Sequence, residues 1–406
     1  MPDVLIIGGG AAGMAAAIAA GMCGERALVL ERMDRVGRKL LATGNGRCNL
    51  MNTGMPRYPG GAKLAQAVLG RCGAAEQTAF WHHWGLPLRN EDGGRVYPAS
   101  GQASTVLDTL RLALDATGAE IVTGVSVTAI RHDADGFTVT ADGQRWQAQR
   151  VIVAGGGCAQ PKLGSDGSAW ALLTPFGHKL LTPRPSLTQI MTDTAPIRGL
   201  SGIRVRCRVA VLRDGETLHE ESGELLFADY GVSGVCVMQC ARWAEAGCEL
   251  RVDLAQGMGL DGEEAAAAEL RRRRAIFQGH SAEQLLTGLC VPRLASCLLK
   301  AAGIRREEPI DRITDAAIGR LARAMTGFRL TVRGVKGFDS AQVTAGGLDT
   351  GRFDPTTMES LCQPGLHACG EMLDVDGDCG GYNLMFAFGS GLLAGLNGRQ
   401  APWRNV

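Results

Sequence analysis

A run of β-branched residues that turns through glycines into an alanine-rich stretch is the strongest constraint on how this chain folds. The segment VLIIGGGAAGMAAAIAA at 4–20 places buried-strand composition before a turn and strong helix formers after it. Gly8 permits the bend, Gly10 lets backbone approach a phosphate closely, and Gly13 lets the helix pack on the strand. Ala11 and Ala12 open that helix, whose unpaired N–H groups and macrodipole favour an anion. A second apolar run, Ala27 to Leu30, ends at Glu31. That lies about 20 residues beyond the glycines, where a carboxylate accepts ribose hydroxyls and repels a 2′-phosphate. The pattern predicts a dinucleotide site whose adenosine half is that of FAD or NAD. No basic region precedes the apolar start and its glycines suit a turn, so it is not read as a signal or membrane segment.

At 406 residues the chain exceeds one simple core, and two or three domains are expected. A net charge of +1 with 20% charged residues provides no bulk field to draw nucleic acid or membrane. The thirteen cysteines are scattered through apolar segments without a single CxxC. Reduced thiols and a cytoplasmic location are therefore expected, with neither a thioredoxin-reductase-like redox pair nor a structural zinc site.

Residues 62–117 read as mostly helical, with a break around 85–101. A β-meander follows in AEIVTGVSVTAI, GFTVTAD and QRWQAQRVIVAGGG, with Asp-Gly turns at 135–136 and 142–143. Its last strand, Val151 to Ala154, is continuously apolar and reads as a buried parallel strand returning to the first sheet. Residues near 190–255 alternate as short β runs, residues near 261–327 turn helical and charged, and strand, glycine turn and helix return from about Val335. This order predicts an α/β fold with one Rossmann-like nucleotide domain built from both ends of the chain, 1–190 and 335–406. A β-rich and helical insert for substrate occupies 191–334.

With these motifs in place, the chain resembles the YhiN/BaiN family of flavoproteins, also described as aminoacetone-oxidase-like or NAD(P)/FAD-dependent oxidoreductases. The resemblance rests on GGGAAG at 8–13, GRKLLATGNGRCN at 37–49, AGGGCAQPKLGSDGS at 154–168, GELLFADYGVSG at 223–234, VTAGGL at 343–348 and CGEMLDVDGDCGGYN at 369–383. It implies a two-dinucleotide-type fold with tightly bound FAD, an inserted β-barrel-like domain with a helical addition, and reduction of activated C=C bonds.

By the same resemblance, Gly8, Gly10, Gly13 and Glu31 hold adenosine, with Arg32 beside them, and Arg38 and Lys39 lie near the diphosphate. The loop 42–49 lies against the isoalloxazine, with Asn45, Gly46, Arg47 and Asn49 facing ring carbonyls or substrate. Gly155 and Gly156 let the chain pass the adenine side, and Gly370 and Glu371 meet the ribityl chain. Gly380, Gly381, Tyr382 and Asn383 open a final helix toward the flavin pyrimidine edge.

Reducing a conjugated C=C bond needs a group to polarise the carbonyl and an acid for the alpha carbon. Arg47 is the candidate polariser. Cys48, Tyr382 and Asp376 are candidate acids in that order, although Cys48 also fits a packing role and the Asp374/Asp376 pair a turn. The histidines of WHHW at 81–84 read as packing or surface residues. The basic run RRRR at 271–274 fits either a solvated helix face or a guide for RNA phosphates. The expected reaction is reduction of a small molecule with NAD(P)H as electron donor. The rivals are an amine oxidase using dioxygen and an RNA uridine-reducing, dihydrouridine-forming flavoenzyme.

Overall fold

Val4–Ile7 is buried along its whole length because it lies in the middle of a five-stranded sheet. In the computed structural model, which describes residues 1–405, the strand order is Leu366–Ala368, Arg150–Val153, Val4–Ile7, Ala27–Glu31 and Glu120–Thr123. Every neighbouring pair is parallel, which explains why the central strands are apolar without alternation. The run at Arg150–Val153 thus returns to the first sheet as its composition predicts.

The helix Ala11–Met22 is buried from Ala12 to Ala20, as an apolar helix in a closed core must be. Its close neighbour is the helix Tyr382–Leu396, and glycines set their separation. A Cβ on Gly391 would lie 2.3 Å from the Ala12 carbonyl oxygen, and one on Gly395 equally close to that of Ala16. The two ends of the sequence therefore share one core through backbone contact.

Two local expectations shift. The first half of AEIVTGVSVTAI leaves the meander: Glu120–Thr123 pairs with Ala27–Glu31, and Gly124, at φ +73°, turns the chain before Val127–Asp133. The three-stranded meander then runs Val127–Asp133, Gly136–Ala141, Gln144–Ala148. Asp142 and Gly143 both have positive φ, as a two-residue hairpin turn requires. The break at 85–101 is itself β structure, since Leu88–Glu91 and Arg95–Pro98 pair antiparallel and Met51–Asn52 joins them.

The chain divides into two compact units, Ser186–Ser340 and the remainder. The inserted unit runs slightly past 191–334 at both ends because its strands Ile190–Thr192 and Phe328–Val335 pair with each other. They belong to a closed six-stranded barrel completed by Gly231–Ser233, Glu216–Ala228, Arg204–Arg213 and Glu249–Asp253. Cys207, Val209, Val211, Leu250, Val252, Leu330 and Val332 are buried at alternate positions and fill the core of this unit. Helices Gly262–Ile276, Pro292–Ala301 and Asp315–Thr326 belong to the same unit. Thr314 caps the last of them by accepting from the Ala317 N–H at 3.3 Å. Among the described residues no helix is long and apolar enough to cross a membrane.

Candidate dinucleotide site and its flanking loop

The three fingerprint glycines do three different things. Gly8, at φ +104°, would place a Cβ 2.6 Å from the Ala154 carbonyl oxygen, so the turn closes directly on the neighbouring strand. At Gly13 a Cβ would meet the Gly8 carbonyl oxygen at 1.9 Å, so helix and strand touch there. A Cβ at Gly10 would meet no protein atom within 4 Å. This open space lies at the start of a helix with no side-chain cap and no acidic residue in its first turn. Its first N–H groups are left for an anion.

Glu31 ends the second strand with only 8% exposure. Its Oε2 accepts from Gly9 N–H at 2.6 Å and its Oε1 from Met33 N–H at 2.7 Å. Both oxygens keep lone pairs for ribose hydroxyls. Arg32 is held by Asp166 at 2.6 Å and Ser168 at 3.2 Å, while its buried Nε has no partner. Arg38 makes a local pair with Asp34 at 3.3 Å. Lys39 instead reaches Glu371 at 2.5 Å, and Glu371 also accepts from Thr344 N–H at 2.9 Å. Both Glu371 oxygens therefore bind protein groups, which makes it a link between segments as well as a neighbour of Gly370. Gly370, at φ +72°, donates to Ser390 Oγ at 2.9 Å, and its missing Cβ leaves room for Ala12. Gly155 is similarly confined by Ala169, and Gly156 by Ser165.

The loop Thr43–Asn49 has left-handed backbone at Gly44, Asn45, Gly46 and Cys48, an irregular path that explains the small residues. Asn45 is exposed. Asn49 Oδ1 is buried without a hydrogen-bond partner, and a Cβ on Gly381 would fall 2.8 Å from it. Arg47 binds Glu91 at 2.5 Å and lies over the Tyr97 ring at 4.2 Å. Glu91 also takes Arg89 at 2.8 Å. Sequence reasoning missed Glu91, Tyr97, Asp166, Ser168 and Thr344. Of these Asp166, Ser168 and Thr344 lie inside the motifs given above, and Glu91 and Tyr97 lie in none.

Three expectations for individual residues change. Cys48 has no exposure and burial pushes its thiol up to about 12, so it packs in the core and does not face substrate as an acid. The Asn383 amide is engaged by the backbone of Gly377, accepting at 2.8 Å and donating at 2.8 Å; it braces the preceding loop, leaving little for a cofactor. Asp376 is 1% exposed, and Asp374 accepts from Gly346 N–H at 3.0 Å, tying its loop to the strand Val343–Leu348. Tyr382, by contrast, opens the final helix after Gly381, at φ +104°. Its carbonyl accepts from the Tyr58 hydroxyl at 2.7 Å, and burial raises the Tyr382 phenol above its ordinary range. It stays protonated. Gly380 is fixed by Asn52, which donates to its carbonyl at 2.9 Å.

The open space at Gly10, the buried carboxylate of Glu31 and the unpartnered Asn49 oxygen fit FAD across one face of this unit. Among the described residues there is no cluster able to hold a metal ion.

A family model described as the HI0933-like protein Rossmann domain matches residues 2–397. The chain belongs to the HI0933-like Rossmann family. It is a flavoprotein oxidoreductase with an inserted barrel. Among relatives, a 3-dehydro-bile acid delta(4,6)-reductase of Clostridium scindens is 39% identical over 99% of this chain and 100% of its own length. A ribosomal RNA dihydrouridine synthase of Haemophilus influenzae is 27% identical over 97% of each. The 3-ketosteroid-delta4-(5alpha)-dehydrogenase of Rhodococcus jostii is similar in structure, with 16% identity over 98% of this chain and 97% of that one, at a TM-score of 0.48.

The basic run is occupied within its own unit. Arg272 and Arg273 bind Glu269 at 2.7 and 2.9 Å. Arg273 also donates to the Thr287 carbonyl at 2.7 Å. Arg274 binds Asp315 at 2.8 Å and the Ile313 carbonyl at 2.7 Å. Of the two readings of the run, these pairings support a helix face tied to its neighbours and add nothing to an RNA guide.

Proposed function

We propose that this HI0933-like protein is an FAD-dependent reductase of an activated C=C bond in a small molecule, with NAD(P)H as electron donor. The full-length 39% identity to a delta(4,6)-reductase carries the reading. FAD, when bound, supplies the hydride chemistry.

The chain's residues bind, orient and hold protons. Gly10 and the start of Ala11–Met22 take the diphosphate, and Glu31 takes the ribose. Arg47 polarises the substrate carbonyl. Its pairing with Glu91 and stacking on Tyr97 fix the guanidinium plane, and N–H groups remain beyond the one given to Glu91. Tyr382 supplies the proton to the alpha carbon from a phenol that burial keeps neutral.

The full-length resemblance to dihydrouridine synthases supports a second reading, reduction of a uracil ring in RNA, which is the same conjugated-bond chemistry. The internal engagement of Arg272 to Arg274 gives it no support from that run. Turnover of purified flavin-loaded protein on a small cyclic enone and on uridine-containing RNA separates the two. Reduction of the enone alone is the expected outcome; reduction of RNA alone would overturn the small-molecule reading.

A further inference from the structure

Outside the barrel, within the inserted unit, lies a cleft of about 740 Å³ that none of the proposed chemistry uses. Its floor follows from strand register. Ala210, Arg251 and Arg329 lie side by side on adjacent strands, as do Arg208 and Asp253. These positions alternate with the buried Val209, Leu250, Val252 and Leu330, so they face outward. Ala210 and Gly327 keep the floor open, and Arg320 and Arg323 of the helix Asp315–Thr326 complete the wall.

Two guanidinium groups directly opposite one another on neighbouring strands repel. Arg329 is offset by Glu249 at 3.3 Å, Arg323 by Glu263 at 3.0 Å and Arg208 by Glu220 at 3.6 Å. Arg320 donates only its Nε, to the Ala302 carbonyl at 2.9 Å. Among the described residues, no carboxylate or carbonyl pairs with Arg251. Five arginines against Glu220, Asp253 and Glu263 of the lining and Glu249 beside Arg329 leave one positive charge for a ligand to balance. The volume is that of a small-molecule site.

We propose that this cleft binds a small organic phosphate of the nucleotide or sugar-phosphate class. Arg251 and Arg329 present forked N–H groups to the phosphate, and Asp253 and Glu220 accept from ligand hydroxyls. The carboxylates set it against a continuous polyanion, whose successive phosphates they would repel.

The test is calorimetric titration of the FAD-saturated full-length protein with AMP and with inorganic phosphate, so that the dinucleotide site is already filled. AMP should bind more tightly than phosphate, and Arg251→Ala should weaken it by about tenfold or more. Arg329→Gln, at an exposed position, should weaken it too and serves if Arg251→Ala fails to fold. Absence of AMP binding, or binding unchanged in these variants, would overturn the proposal. So would Arg251-dependent binding of a single-stranded RNA decamer without AMP binding.

Discussion

Lys39 and Glu371, 332 residues apart in sequence, meet at 2.5 Å. The ion pair ties the helix that follows the adenosine strands to the turn after Leu366–Ala368, and Thr344 N–H joins it at 2.9 Å. Both side chains are about one-fifth to one-quarter exposed, so solvent screens the pair and its coupling is about 1 kcal/mol. Lys39→Met and Glu371→Gln should each lower flavin affinity, and the double variant should lose less than the sum. Flavin fluorescence titration of the four proteins measures this; strict additivity would show that the two residues act independently.

Gly10 and Gly13 separate cofactor binding from folding. Gly10 has φ −82° and open space around its missing Cβ, so Gly10→Ala should fold normally and lose flavin. Gly13→Ala would place a methyl 1.9 Å from the Gly8 carbonyl oxygen and should destabilise the apoprotein by about 3 kcal/mol, the upper end of overpacking costs. Thermal melts of the two flavin-free variants distinguish them. Equal loss of stability would contradict the assignment of the space at Gly10 to the diphosphate.

Tyr382→Phe should reduce turnover by about a hundredfold, a typical effect of losing a general acid, with flavin affinity unchanged. Cys48→Ala should retain turnover and cost about 1 kcal/mol for the small cavity it leaves. Steady-state kinetics on an enone substrate read both. Full activity in Tyr382→Phe would remove it as the proton donor.

The nucleotide strand, turn, helix and acid were legible because each has a local cause: β-branched residues, three glycines at fixed spacing, alanines, and Glu31. The insert's strands were legible from alternation, its barrel only through the family resemblance, and the final helix from its glycine turn. Cys48 and Asn383 were not, since whether a side chain faces solvent, the core or a neighbouring loop depends on partners far along the chain. Likewise the pairings of Arg47 with Glu91 and Arg32 with Asp166 join residues 44 and 134 positions apart, and no local pattern encodes them. The arginine run stayed open between two readings for the opposite reason. Its charge is local, but its acceptors, such as Asp315 and the Ile313 carbonyl, are not.

His367, on the edge strand Leu366–Ala368, carries an acid-sensitive contribution. It is fully buried, its Nδ1 lies 2.9 Å from the Thr357 carbonyl oxygen, and burial lowers its pKa to about 3. The unfolded chain therefore binds a proton that the folded one does not, and this contribution is complete above pH ~6.5 and lost as pH falls toward 3. Denaturant melts should show stability falling over this window, and His367→Phe should flatten the slope. An unchanged slope would mean that other groups govern acid unfolding.

The reductase account is tested most directly by anaerobic stopped-flow absorbance of the flavin-loaded protein. Mixing with NADH or NADPH should bleach the flavin's blue absorbance band, and subsequent addition of a conjugated enone should restore it. Bleaching by amines alone, with colour returning on exposure to dioxygen, would contradict the account and establish an oxidase.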